Sequence, residues 1–313
     1  MKIIRTTVVL TLTIAAACNM PPAAATPHNP AEVVNPDIPS KIKFAGQTID
    51  LDRTDMFERL DRELTAMAFT HGNTLLTIKR ANRYFPMLAP ILKANGVPED
   101  MLYLACIESY LNPRAYSPAK AAGLWQFIPS TAKEYGLEVN EYVDERYDPV
   151  KSTEAACRYL KSAYGKYGNW ESTAASYNGG MGRLTRELSG QKQESAFDLF
   201  LNEETSRYIY RLLAMKMIME HPSRYGYRLT ERQLYQPLEF EEIEVSGPVD
   251  DWTQWALEHN TSYLMLREYN PWIRSSKLPN SAGRTYIVRI PTDKSLHRSS
   301  QRHKTYNSNW IRQ

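Results

Sequence analysis

The chain has 313 residues, of which 42% are hydrophobic, 11% aromatic and 23% charged, and this composition excludes a disordered chain. A formal net charge of +3, with no basic block in the body and no phosphate-cradling glycine loop, speaks against nucleic acid and nucleotides as partners. The length allows one large domain or two modest ones.

Lys2 and Arg5 give a short basic start, and the apolar run from Val8 to Ala17 is too brief to stay across a bilayer. It ends in Ala15-Ala16-Ala17-Cys18, so residues 1–18 are predicted to be a signal peptide. Small residues before a cysteine resemble a bacterial lipobox, with Cys18 becoming the lipidated N-terminus. Ala15 stands where a lipobox prefers leucine, and ordinary cleavage after Ala17 is the alternative. Residues 19–40 contain six prolines and no periodic pattern, as expected of a spacer.

From Leu51 to about Pro222 the pattern predicts helices nearly throughout, punctuated by Asn, Gly and Pro. Pro98 opens one of them and Asn112-Pro113 stops it. Met101, Leu104, Ala105, Glu108 and Leu111 share one face, which puts a carboxylate on an apolar stripe. Burial there would raise its pKa toward the range a general acid needs. The bland alternative is a glutamate at the edge of the stripe that reaches solvent. Gly123-Leu124-Trp125-Gln126 then gives a flexible turn with a large aromatic, predicted to be core or cleft wall, and an amide. Asp148-Pro149 should open a helix running to about Tyr167, and Trp170 to Tyr177 another that ends at Asn178-Gly179-Gly180. Asp144, Glu145 and Asp148 are the candidates for a second carboxylate, and are expected to serve instead as helix caps and surface charge. Cys106 and Cys157 could form a disulfide or remain two buried thiols. The six histidines are scattered, so neither a metal site nor a cofactor is expected.

After Tyr225 the composition shifts. Phe240 to Val245 alternates as a strand, Asp251–His259 and Ser262–Asn270 read as short helices, and Tyr286 to Ile290 alternates again up to Pro291. The expectation is a separate βααβ module over 238–292, followed by a frayed, weakly basic tail over 293–313, with attraction to anionic polymer or lipid as the tail's second reading.

Glu108-Ser109, Gly123-Leu124-Trp125-Gln126, Ser176-Tyr177-Asn178-Gly179-Gly180 and Glu204-Thr205-Ser206-Arg207-Tyr208-Ile209 resemble, in order, the four motifs of the soluble-type lytic transglycosylases. The wording around them is closest to the membrane-bound murein transglycosylase D type. Ser176 and Gly179 replace the family's usual alanines. The resemblance implies a mainly α, goose-lysozyme-like catalytic domain over 41–225, with its motif core at about 95–222. It also implies non-hydrolytic cleavage of the bond between N-acetylmuramic acid and N-acetylglucosamine, leaving a 1,6-anhydromuramyl end. Glu108 would be the single acid/base and Ser109 a positioning hydroxyl. Gln126 and Asn178 would bond the sugars, and Tyr177 and Tyr208 would line the pocket of the glutamate. Residues 238–292 resemble a degenerate LysM domain that binds glycan, with packing alone as the alternative.

The partners so implied are peptidoglycan strands and, through the lipid on Cys18, the outer membrane of a Gram-negative periplasm, with no obligatory protein partner. A hydrolytic muramidase of the same fold and a non-catalytic peptidoglycan-binding scaffold are the rivals.

Overall fold

A computed structural model describes residue 35 and residues 37–312, so the predicted signal peptide, Cys18 and most of the spacer lie outside it. The chain first forms a hairpin of β1 (Lys41–Phe44) and β2 (Gln47–Asp50), paired antiparallel with Phe44 opposite Gln47. Ala45 and Gly46 both take positive φ in its two-residue turn, the geometry that matches the twist of the flanking strands. Eight helices follow: α1 (Thr54–Phe69), α2 (His71–Ala94), α3 (Leu102–Ser109), α4 (Pro129–Glu134), α5 (Pro149–Tyr167), α6 (Trp170–Gly179), α7 (Met181–Gln191) and α8 (Glu203–Glu220). As predicted, Asp148 opens α5, accepting from the amides of Val150 and Lys151; Asn169 caps α6 by accepting from the amide of Ser172. The helical run is less continuous than predicted, because most of 110–128 and 135–148 is loop.

The core of the helical region is organised around α8, which packs on α1, α3 and α6. Every residue from Leu212 to Met219 is buried, so the C-terminal half of this helix is enclosed all round. Charged pairs fix it at several points. Glu63 of α1, 2% exposed, accepts from Arg207 at 2.7 and 3.1 Å. Lys216 reaches Asp100 at 2.8 Å and Glu220 at 2.6 Å. Asp100 also accepts from the amide of Ala45, so the hairpin and α8 meet at one carboxylate.

The predicted module is present as β3 (Phe240–Val245), α9 (Trp252–Glu258), α10 (Tyr263–Tyr269) and β4 (Tyr286–Pro291). The strands pair antiparallel from Phe240↔Pro291 to Val245↔Tyr286, and Asp251 and Ser262 cap the helices. Trp252 and Trp272 are 0% and 3% exposed and form part of its core.

The module is joined to the helical region along a built seam. Val143 belongs to its apolar core, Val143 and Ile273 form a bridge, and Asp144 donates its amide to Trp272. Arg289 of β4 meets Asp148 at 3.0 Å. The surface-charge role expected for Asp144 and Asp148 is therefore corrected: both are buried, each paired with an arginine, because unpaired burial would be costly.

The frayed tail is also corrected. A short helix, α11 (Asp293–Leu296), follows β4, and the chain then returns to α2 and α8. Asn82 of α2 donates to the carbonyls of Tyr235 and Lys304 and accepts from the amide of Tyr306. Trp310, 2% exposed, donates to Met219 of α8 and packs edge-on against Phe85. Truncating a buried tryptophan costs ~3–5 kcal/mol. Trp310→Ala should therefore lower the urea midpoint of the whole chain by a margin of that order, whereas an unchanged midpoint would return residues 305–312 to a loose surface segment.

Candidate active site

Glu108 sits in the last turn of α3, on the apolar face read from the sequence, and Met101, Leu104 and Ala105 of that face are fully buried. The helix ends one residue later. Tyr110 and Leu111 take φ of 51° and 53°, so Leu111 is not part of the helix as expected. Two successive left-handed residues without glycine are strained, and their surroundings hold them: Leu111 is buried and the Tyr110 carbonyl accepts from Arg80.

A cleft of about 880 Å³ opens over Glu108. Tyr208 of α8 donates to Glu108 Oε1 at 2.6 Å, joining the first and fourth sequence motifs. The other carboxylate oxygen makes no hydrogen bond among the described residues. Tyr177 lines the same cleft and donates to the Trp125 carbonyl at 2.8 Å, which fixes the third motif to the second. Trp125 is fully buried and bonds Thr153 through its indole nitrogen, so it is core as expected.

Gln126, at φ 50°, spends its amide nitrogen on the carbonyls of Gly123 and Ala115, while its side chain lines the cleft. Gly123 is required at its position: φ is +79° and a Cβ would stand 1.8 Å from the Arg146 carbonyl oxygen. Asn178 lines the cleft with its Oδ1 held by Thr205 at 3.0 Å, leaving its amide nitrogen available. The departure at Gly179 has a local fit, since a Cβ there would come within 3.1 Å of the Thr205 methyl group.

Five of the six site residues predicted within the described chain thus converge on one cleft. Ser109 stands behind it: its hydroxyl, 5% exposed as a residue, donates to the carbonyls of Ala105 and Leu124 and ties α3 to the Gln126 loop. Sequence reasoning missed Arg211 and Glu204. Both line the cleft, and with Tyr208 they occupy one face of α8 at spacings of four and three. Asp144 and Asp148 are spent in ion pairs at the module seam, and Glu145 accepts from the amide of Glu138, so none of the three is a second carboxylate of this cleft. Cys106 and Cys157 are both free and buried, which settles the disulfide question in favour of two thiols.

Enclosure sets the chemistry of Glu108. Loss of solvent pushes its pKa up to about 7, against the lowering effects of the Tyr208 hydrogen bond and the Arg211 charge. Burial and the nearby Glu108 charge hold the phenols of Tyr177 and Tyr208 above their ordinary value, so Tyr208 remains a donor across the working range. A carboxyl whose folded pKa exceeds its ordinary 4.5 makes the folded protein bind the proton more tightly. The stability penalty is absent below about pH 4.5, grows from there and is complete above about pH 7. At ~1.4 kcal/mol per pKa unit it reaches up to ~3 kcal/mol. Glu108→Gln should therefore melt above the parent at pH 8, with the difference closing by pH 4.5. An equal difference at both pH values would contradict the burial argument.

Residues 87–200 match the family profile described as the Transglycosylase SLT domain, and residues 241–294 match the Soluble lytic transglycosylase C-terminal LysM-like domain. The first match includes Glu108, Gln126, Tyr177 and Asn178, and stops before Tyr208. Membrane-bound lytic murein transglycosylase D of Escherichia coli (strain K12) is 31% identical over 236 residues, which are 74% of this chain and 50% of the relative. Peptidoglycan transglycosylase gp16 of Escherichia phage T7 is 36% identical over 127 residues, 38% of this chain and 9% of the phage protein. Among solved structures, the 70 kDa soluble lytic transglycosylase of Escherichia coli superposes with a TM-score of 0.38 at 20% identity, over 54% of this chain and 30% of that one. The chain spans about half the length of the murein transglycosylase D relatives it matches. It carries a transglycosylase SLT domain followed by the LysM-like domain found at the C-terminus of soluble lytic transglycosylases.

Proposed function

We propose that this chain cleaves the glycan strands of peptidoglycan between N-acetylmuramic acid and N-acetylglucosamine, with Glu108 as its single acid/base. The observation that carries the reading is a carboxyl with a pKa of about 7, bonded by Tyr208 and lining a cleft of about 880 Å³. Tyr208 donates to Oε1, so the transferable proton resides on the other oxygen. That proton goes to the glycosidic oxygen as the bond to the anomeric carbon breaks. The carboxylate so formed, stabilised by Tyr208 and Arg211, then takes the proton of the C6 hydroxyl of the same muramyl sugar. The C6 oxygen closes on the anomeric carbon, which gives the 1,6-anhydro end and returns Glu108 to its acid form without water. Asn178 and Gln126 are placed to bond sugar amide and hydroxyl groups.

A second reading, hydrolysis, draws on Glu204, which lines the same cleft. Product analysis separates the two. Digestion of sacculi is expected to release muropeptides ending in 1,6-anhydromuramic acid, and reducing ends that accept borohydride in their place would make the chain a muramidase. In the same assay, Glu108→Gln should lower the rate by about a hundred- to ten-thousandfold, the usual contribution of acid–base catalysis. Activity within a few-fold of the parent would remove Glu108 from the mechanism.

We further propose a division into a catalytic domain over 41–225 and a module over 238–292 that holds polymer beside the cleft. Its exposed face, where Leu257 and Leu264 lie, is available for that task, whereas Trp252 and Trp272 are not. The apolar start, the small residues before Cys18 and the proline-rich stretch after it support a lipid-anchored protein facing the periplasm from the outer membrane.

A further inference from the structure

A second cavity, of about 630 Å³, lies at the seam between the catalytic helices and the C-terminal module. Its wall is rich in arginine. Arg114 comes from the loop after α3, Arg267 from α10 and Arg274 from the loop before β4, with the buried Arg146 behind them. The carboxylates nearby are already engaged. Asp144 bonds Arg146 through both oxygens, and Glu268 pairs with Arg114 at 2.8 Å. Among the described residues, neither Arg267 nor Arg274 forms an ion pair.

Both free guanidinium groups are nevertheless held in place. Arg274 lies 4.5 Å from the ring centroid of the buried Tyr147 and reaches only the Pro271 carbonyl, at 3.3 Å. Arg267 bonds the Tyr263 hydroxyl and lies 5.4 Å from its ring centroid. A stacked guanidinium keeps its rigid fork of donors at the rim while losing little freedom on binding. Planar carboxylates match that fork with two parallel hydrogen bonds.

The position of the cavity indicates where such carboxylates would come from. One loop separates it from the catalytic cleft: Tyr116, 60% exposed, lines the arginine cavity, and the neighbouring Ser117, Pro118 and Ala121 line the cleft. Arg146 ties the two sides by donating to the carbonyls of Lys120 and Phe127. A muramyl sugar seated in the cleft carries a peptide that must leave it sideways, and that peptide bears free carboxylates.

We propose that the seam cavity binds the carboxylates of the peptide stems attached to the glycan in the cleft, with Arg267 and Arg274 as the anchoring pair. This rests on the peptidoglycan reading of the cleft. Anchoring there orients the strand and favours stem-bearing over naked glycan.

The test reads binding rather than cleavage, so failure of the catalytic reading would appear in the product assay and not here. Calorimetry on the full chain would titrate three probes: a free stem tetrapeptide, the same peptide with its carboxylates amidated, and inorganic phosphate. The tetrapeptide is expected to bind in a salt-sensitive manner. Its affinity should fall at least tenfold on amidation and on the double substitution Arg267→Gln/Arg274→Gln, and phosphate at the same concentration should displace little of it. The single exposed substitution Arg274→Gln, expected to weaken binding several-fold, serves should the double variant melt early. Absence of tetrapeptide binding, indifference to amidation or to Arg274→Gln, or equal competition by phosphate would overturn the assignment.

Discussion

The hydrogen bond from Tyr208 to Glu108 joins a short helix carrying an enclosed acid to a long helix that runs through the core. A partly desolvated acid holds its proton to near neutrality, and a phenol held above its ordinary pKa donates to one of its two oxygens. The geometry is only as good as the placement of α8, and much of the fold bears on that placement. Glu63 grips Arg207, next to Tyr208 in sequence. Lys216 is held by the carboxylate that also holds the β1–β2 turn. Trp310 caps the far end through the Met219 carbonyl. The N-terminal hairpin and the C-terminal tail thus act on the site from a distance, by fixing one helix.

The walls of the cleft follow a different logic. Helices α3 to α8 supply most of their residues, and the adjoining loops take unusual backbone conformations at Tyr110, Leu111 and Gln126. Such conformations persist only when the surroundings over-determine them. Here the surroundings are Ser109 tied to Leu124, Gln126 tied to Ala115 and Gly123, and Tyr177 tied to Trp125. The site is assembled from carbonyl-directed hydrogen bonds between three motifs, which accounts for why several motif residues spend their polar atoms on the backbone. Arg146 extends the same scheme to the seam with the module, so cleft and module are parts of one hydrogen-bonded unit.

Much of this was legible in the sequence, because local chemistry decides it. Asp148-Pro149 starts a helix through capping and a preset φ, Asp251 and Ser262 start those of the module through capping, and the spacing around Glu108 placed it on an apolar face. The unread features depend on contacts distant in the chain. Residues 41–50 carry only Ala-Gly at the turn, a weak hairpin signal. The tail looked polar because Trp310 is a single anchor among exposed residues, and its partners lie more than 90 positions earlier. Asp144 and Asp148 look like any surface carboxylate until Arg146 and Arg289 are seen beside them. Trp252 and Trp272 could have been groove or core by composition, and the apolar demand of a module this small made them core.

The central claim is that enclosure, and not a second carboxylate, equips Glu108 for proton transfer. The most direct measurement is a carbon-13 NMR titration of the glutamate side-chain carboxyls, with Glu108→Gln identifying the resonance. The account requires one carboxyl that titrates near pH 7, is absent from that variant and moves higher in Tyr208→Phe, where a bond favouring the charged form is lost. A Glu108 resonance that titrates near 4.5, unmoved by the loss of the Tyr208 hydroxyl, would contradict it.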